Sequence, residues 1–453
     1  MVIDQFSPHQ IIERALSRAI AKGATEAEVY VIESLSRNVI ALRDKLENAS
    51  AGHVVGVGLR VAIGKRIGIH GTTALSIENI DEAVDTALSI ARVAPEDKDW
   101  VSLARGLGKS HVSGVYDKKT AETTLEHIAN AIMNGIEVAK DVDKRIEPLA
   151  SSISISVNRI IIANSYGESV ERKSTKVLGS IEVKLREATK ESVFGDSIST
   201  RSWREPEFIE LSKNVAQKCL TFLGAKRIKT ERMDVILRGK VFGAILETLL
   251  APAISANNIQ RNRSPLVGKL NESIFSDDLT ILDDGTAEGS FASTEFDDEG
   301  IPTTKKYVVE KGVLRIYLYD TYTANKDRTK STGNAYRRSI SSTPIPWITN
   351  LIVIPGNQTL DDMIRDTKKG VLVYSTIGYW LSNPISGQLS ATITHGYLIE
   401  NGEIKQPVKG IVMSDDFYDL MKNRVIQLSK EVENYLGVYA PHIHLYDVQI
   451  AGE

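Results

Sequence analysis

A hydrolytic zinc site on a helix needs imidazole or thiolate donors one turn apart on one face, as in a helical HExxH. The eight histidines stand at positions 9, 53, 70, 111, 127, 395, 442 and 444, and no two are four apart. Only His442 and His444 are close. Two apart on a strand, they face the same way and could share a metal, but spacing fixes no third ligand; packing or surface placement is the simpler reading. The single cysteine, Cys219, falls on the apolar face of a helical pattern and reads as an inert buried thiol. There is no GxSxG elbow and no GxxxxGK[ST] loop. The GVG at Gly56–Gly58 lies inside a strand pattern and lacks a third glycine, so a β-bulge or a close strand contact is expected rather than a dinucleotide site. Asp277–Asp278, Asp283–Asp284 and Asp297–Asp298–Glu299 lack calcium-loop spacing and read as solvated turn residues. In STGNAYRR, Gly333–Asn334 allows a tight turn and Arg337–Arg338 follows at once. Paired guanidiniums could grip a carboxylate or a peptide terminus, although an ordinary basic loop tip has the same composition.

These residues must be positioned by a chain of 453 residues, enough for two or three domains. Ser7, Pro8 and Gln10 form a capping box ahead of the stripe Ile11, Ile12, Ala15, Leu16 and Ala19, and Gly23 is a stop. EAEVYVIES and RNVIALRD read as two strands, followed by a hairpin around Gly64–Lys65 and a helix from about Ile80 to Ala91. Residues 94–119 read as a linker. A second helix, with Thr120 as its candidate cap, precedes a strand meander with turns at Asn158–Arg159 and Tyr166–Gly167. A further helix opens at Glu205–Pro206 and buries Phe208, Leu211, Val215 and Cys219. The two halves have the order of a degenerate repeat, without similarity at residue level. Beyond Arg232 come the strand MDVILRG, the apolar helix VFGAILETLLAPAI and then mostly β structure. Lys311–Gly312 and Asn401–Gly402 mark hairpins. Thr359–Thr367 and Asp415–Lys430 read as helical, and HIHLYDVQIAG as the last strand. The fold class expected is α+β: an N-terminal domain of helices on antiparallel sheet, 1–225 with sub-units about 1–94 and 120–225, and a β-rich C-terminal domain, 226–453.

Composition narrows the function. Apolar residues are 42% and charged residues 25%, and Lys plus Arg number 55 against 58 Asp plus Glu, a net charge of −3. This argues against a nucleic-acid footprint. The N-terminal MVIDQFSPHQII has no signal-peptide pattern, and no run of about 18 apolar residues suits a membrane span. Gly370–Ile399 has no charged residue but contains Ser382, Asn383, Pro384 and Gln388, so we expect buried, polar-lined β structure there. One cysteine and no leader pattern suggest the cytoplasm.

The order of several longer motifs carries a resemblance. FDDEGIPTTKKYVVEKGVL, KSTGNAYRR, TNLIVIPGN, YWLSNPISGQLSATITHGYLIENGEIKQPVKG and LYDVQIAG resemble the C-terminal half of the TldD/PmbA family, gyrase modulators by older naming and metallopeptidases by current understanding. AEVYVIES, NVIALRD and GVGLRVAIGKRIG are similar to its first domain. TldD-like members carry an HExxxH helix and a later cysteine ligand; TldE-like members, also called PmbA, lack them. The matching stretch VFGAILETLLAPAI holds Glu247 but no histidine, Pro252 lies near the place of the last ligand, and Leu428–Gly437 has no cysteine.

The resemblance therefore implies the TldE/PmbA branch. It implies no catalytic residue and no cofactor in this chain, with zinc in a TldD-like partner, and cleavage of an extended or unfolded peptide in a shared compartment. Thr332, Gly333, Asn334, Arg337 and Arg338 become candidate walls of the peptide path. The alternative is a homodimeric peptide-binding or scaffold protein. Neither needs nucleic acid or membrane.

Overall fold

The computed structural model describes residues 7–453. Ser7 caps α1 (Pro8–Ala21) with the reciprocal Gln10 contact that makes a capping box, and Ile11, Ile12, Ala15 and Ala19 are buried. Three antiparallel strands follow, β1 (Glu26–Leu42), β2 (Lys45–Ile63) and β3 (Arg66–Thr72), then α2 (Ile77–Val93). After the short α3 (Lys118–Glu122) the pattern returns: α4 (Leu125–Val142), strands β4 (Ile146–Asn164), β5 (Ser169–Glu187) and β6 (Lys190–Thr200), then α5 (Glu205–Thr221). The six strands form one sheet in the order β3-β2-β1-β4-β5-β6, so the two helix–three-strand–helix units join at the β1–β4 seam.

One face of this sheet is covered by helices. Val29, Val31, Leu59 and Ile161 pack under α1 and α2; Ile153, Ile155, Val177 and Ile181 pack under α4 and α5. The other face turns toward the C-terminal domain. That domain begins with β7 (Glu231–Leu237), the apolar α6 (Gly239–Ala253) and α7 (Ala256–Ile259), followed by β8 (Ile281–Asp284), β9 (Lys305–Glu310) and β10 (Val313–Leu314). It continues through α8 (Thr321–Lys326), β11 (Ala335–Tyr336), β12 (Ile345–Pro346), β13 (Leu351–Val353), α9 (Leu360–Asp366) and β14 (Lys369–Ile377). It closes with β15 (Gln388–Glu400), β16 (Glu403–Val408), β17 (Ile411–Asp416), α10 (Phe417–Asn423), β18 (Val425–Tyr435) and β19 (Val438–Ala451). Strand β7 pairs with both β14 and β19, so β7, β14, β15, β17 and β19 close into a ring. An apolar helix must be covered on most sides, and α6 is, lying against β19 and β18.

Several expectations need correction. EAEVYVIES and RNVIALRD are one 17-residue strand, and Asn158–Arg159 is no turn: it pairs in register with Ser174 and Lys173 inside the 19-residue β4. A turn dipeptide bends the chain only where no partner strand holds it extended. Helix α4 is capped by Thr124, not Thr120, whose amide is held by Asp117. Only Phe417–Asn423 of the late helical segment is helix; Val425 and Ile426 begin a strand on β19. The linker is packed rather than loose, with Trp100, Leu103 and Ala104 buried and Gly108 and Ser110 bonded to Gly300 and Glu295. Within Gly370–Ile399 the strands are buried, but their connection is not: Trp380 is 56% and Leu381 78% exposed. Asp283, Asp284, Asp297, Asp298 and Glu299 are all buried, and only Asp277–Asp278 is solvated.

At the GVG the strand pairs in regular register without a bulge, and the close approach comes from a distant loop rather than from a strand. Ile340, at the tip of the segment between β11 and β12, lies flat on Gly56, Gly58 and Gly71. A Cβ at Gly56 would stand 3.0 Å, and at Gly71 2.8 Å, from its side chain, and one at Gly58 would overlap its carbonyl oxygen.

Candidate functional site

A cavity of about 650 Å³ opens between the uncovered face of the N-terminal sheet and the C-terminal domain. Side chains alternate across a strand, so residues two apart share a face. Tyr30 and Ile32 of β1, Asn158 and Ile160 of β4, and Arg172, Ser174 and Lys176 of β5 thus form its roof. Glu247 of α6, Trp347, Thr349 and Val438 line the opposite side, and residues 293–298 and 333–338 close the flanks.

A chain of buried charges fixes the flanks to the roof. Arg60 of β2 bonds Glu28 at 2.7 Å and Glu299 at 2.9 Å, with all three side chains at most 3% exposed. Arg337 bonds the other oxygen of Glu28, and its backbone amide donates to Asp298 at 2.8 Å. Asp298 in turn pairs with Arg172 at 2.7 Å. Such groups remain charged in an interior only when paired. Burial opposes ionisation of Glu299, but Arg60 and the Thr321 bonds outweigh it and hold its pKa below the usual range. Asp297 has backbone amides but no cation; burial and the Glu299 charge push it up to about 8. Asp320 is pushed up to about 7 by burial and the same neighbour.

The residues singled out from sequence divide into two groups. Gly333, Asn334, Arg337, Arg338 and Glu247 line this one cavity. Within it, Arg337 is locked by its ion pair with Glu28 and by the Asp298 and Ser342 carbonyls, which leaves no free fork for a ligand. Asn334 is a structural knot, donating to Asp283 at 2.8 Å and to the Trp347 carbonyl at 2.9 Å. Thr332 lies behind the wall, its hydroxyl donating to Asn334 at 2.8 Å. Pro252 occupies the last turn of α6, away from the cavity. His442 and His444 are also elsewhere: His442 Nδ1 accepts the Gly239 amide at 2.8 Å, and His444 Nε2 lies 3.4 Å from Asp234. Cys219 is buried against Val183 and Ser192, and burial pushes its thiol up.

A catalytic zinc does not fit the donors of this wall. Positions 243, 244, 250 and 251 share the Glu247 face of α6 and hold Gly, Ala, Leu and Ala. The cavity wall contains no imidazole or thiol. Among the described residues no three His, Cys, Asp or Glu side chains are grouped to hold a metal ion. Glu247 itself has no ion pair or hydrogen bond among the described residues, and burial raises its pKa.

Sequence reasoning missed the roof cations and the buried carboxylates. The period-two run Arg172, Ser174, Lys176 was the available signal for a polar sheet face turned toward another domain.

The fold is that of a helix-on-sheet N-terminal half joined to a β-rich half with a closed strand ring, and known proteins share it. Models described as PmbA/TldA metallopeptidase domain 1, central domain and C-terminal domain match residues 27–91, 77–223 and 230–452. The chain belongs to the PmbA/TldD metallopeptidase family. An uncharacterised Methanocaldococcus jannaschii protein is 28% identical, over 89% of this chain and 92% of its own length. A metalloprotease PmbA homologue of Haemophilus influenzae is 27% identical, over 98% of this chain and 96% of its own. The crystal structure of TldE from Thermococcus kodakarensis superposes with a TM-score of 0.90 at 25% identity, over 98% of this chain and 100% of that one. No helix of the described residues is long and apolar enough to cross a membrane.

Proposed function

We propose that this chain is the metal-free, TldE/PmbA-like subunit of a peptidase whose zinc resides in a TldD-like partner. The observation that carries this is the face of α6. Glu247 looks into a cavity wide enough for a peptide segment, yet Gly243, Ala244, Leu250 and Ala251 beside it offer no donor atom. A catalytic zinc needs about three protein ligands and an open position. The chain's part in the reaction is then to hold an extended peptide within a shared compartment while the partner cleaves it. Likeness to the TldE structure supports this branch. The exposed Ile377, Trp380, Leu381 and Ile385 form an apolar knob of the kind that subunit contacts use. A cytoplasmic site of action goes with this reading.

The test is metal content and peptidase activity of the purified chain, alone and mixed with a TldD-like subunit. Alone it should hold substoichiometric zinc and leave an unfolded peptide intact; together the pair should cleave it. Chelator-sensitive hydrolysis by the isolated chain would refute the reading. A stable homodimer that never engages a TldD-like subunit would transfer the role to self-contained peptide binding.

A further inference from the structure

The cavity wall carries six basic and four acidic side chains. Arg172 and Arg337 are neutralised within the buried ion chain. The other four cations, Lys173, Lys176, Arg201 and Arg338, form no ion pair among the described residues. Two of them are set into the structure rather than waving at its surface. Arg201 is 4% exposed and spends its guanidinium on carbonyls alone: Ser290 at 3.1 Å, Thr175 at 3.1 Å and Ser293 at 2.5 Å. Lys176 projects from β5 beside it, with its ammonium 4.9 Å from the Phe291 ring and no hydrogen-bond acceptor among the described residues.

Placing two cations close together under a protein roof costs free energy unless something negative compensates. The cost is visible in both groups. Burial and then the Arg201 and Arg172 charges lower Lys176 to about 8, and burial and then Arg172 lower Arg201 to about 10. The carboxylates of this flank are engaged elsewhere: Asp298 is claimed by Arg172 and the Arg337 amide, Glu295 lies 3.5 Å from Lys109, and Asp297 is held up toward its neutral form. Ser174 and Asn158 add neutral donors to the same wall. An ammonium, a guanidinium and nearby hydroxyl and amide groups lining one partly enclosed cavity are the elements of an anion site, and a charge-assisted bond there is stronger than at the surface.

We propose that Lys176, backed by Arg201, anchors a peptide carboxylate, the free C-terminus of an extended peptide lying in this cavity. This deepens the peptide-holding reading above and rests on it. Glu247, on the opposite side and without an ion pair among the described residues, keeps a second anion out of the floor and gives the bound chain a direction. The peptide's last residue lies at the sheet roof and its body runs toward the open side of the compartment.

The experiment uses the full-length chain and one fluorescent heptapeptide in two forms, with a free C-terminal carboxylate and with a C-terminal amide. Binding is followed by anisotropy at pH 7. The free acid should bind at least about tenfold more tightly than the amide, the value of one charge-assisted hydrogen bond. Lys176→Gln should abolish that difference by lowering free-acid binding to the level of the amide. Because Lys176 has no ion-pair partner among the described residues to strand, this variant is expected to fold, which thermal unfolding verifies; Lys176→Met serves as a second, apolar version. Lys213→Gln, exposed on α5 and remote from the cavity, should keep the full preference. Equal binding of acid and amide overturns the anchor but leaves peptide holding intact. Binding of neither form overturns both. A preference that survives Lys176→Gln and Lys176→Met removes Lys176 from the role.

Discussion

Replacing Arg60 by methionine removes the cation that holds two carboxylates at the domain junction. Arg60 is buried, and one of its terminal nitrogens bonds both Glu28, 2.7 Å away, and Glu299, 2.9 Å away. After the change Glu28 keeps Arg337, and Glu299 keeps the Thr321 amide at 2.8 Å and the more distant Arg337 charge while still facing Asp297 and Asp320. Two buried charge-assisted bonds are lost, and methionine returns part of the packing. Stranding one member of a buried pair costs about 3–5 kcal/mol, a large part of a typical domain's total stability. The assay is urea unfolding followed by circular dichroism at several pH values. In the native protein the Glu299 pKa is depressed, so its contribution is present above the unfolded carboxylate pKa and lost as pH falls through the folded one. Without Arg60 the burial penalty on Glu299 is opposed only by Thr321 and the Arg337 charge, so its pKa should rise. The Arg60→Met deficit should therefore be largest near pH 8 and shrink toward pH 5, and adding Glu299→Gln should recover part of it. A deficit below about 1 kcal/mol at neutral pH, or one that grows on acidification, would refute the account of this junction as a paired network.

Two further perturbations test packing. Gly58→Ala places a methyl group on the Ile340 carbonyl, so the 339–342 loop must lift; a loss of about 1–3 kcal/mol is expected, with faster proteolysis after Arg338. If the variant unfolds and resists protease as the parent does, the loop does not depend on that contact. Cys219 is fully buried with a raised pKa, so a thiol reagent at pH 7.5 should react only after denaturation; stoichiometric labelling of the native chain would contradict its placement.

Local chemistry was readable and distant partnership was not. The capping box at Ser7 and Gln10 and the hairpin at Asn401–Gly402 depend on residues a few positions apart, and both stand where their signals lie. Asn158–Arg159 carries a similar local signal, and the neighbouring strands override it. The acidic triplet 297–299 looks solvated because its partners are far along the chain: Arg60 lies 239 residues from Glu299. No window of sequence reveals that pairing. For the same reason Arg337 looked available, although it is bound to a glutamate 309 residues away. Glu247 and the 333–338 segment could be named from type and motif. The period-two run placed Lys176 on the roof, but that it forms no ion pair among the described residues shows only in the assembled cavity.

The seam between β1 and β4 runs in unbroken register from Glu28 opposite Asn164 to Leu42 opposite Ala150. Either helix–three-strand–helix unit produced by itself would present that whole ladder of backbone donors and acceptors to solvent, a template for any other extended chain. Two identical copies of such a unit could cover these edges by pairing edge to edge. Fusion of two such copies, followed by divergence, would leave an arrangement of this kind, with its ancestry kept in strand order after the residues had drifted apart.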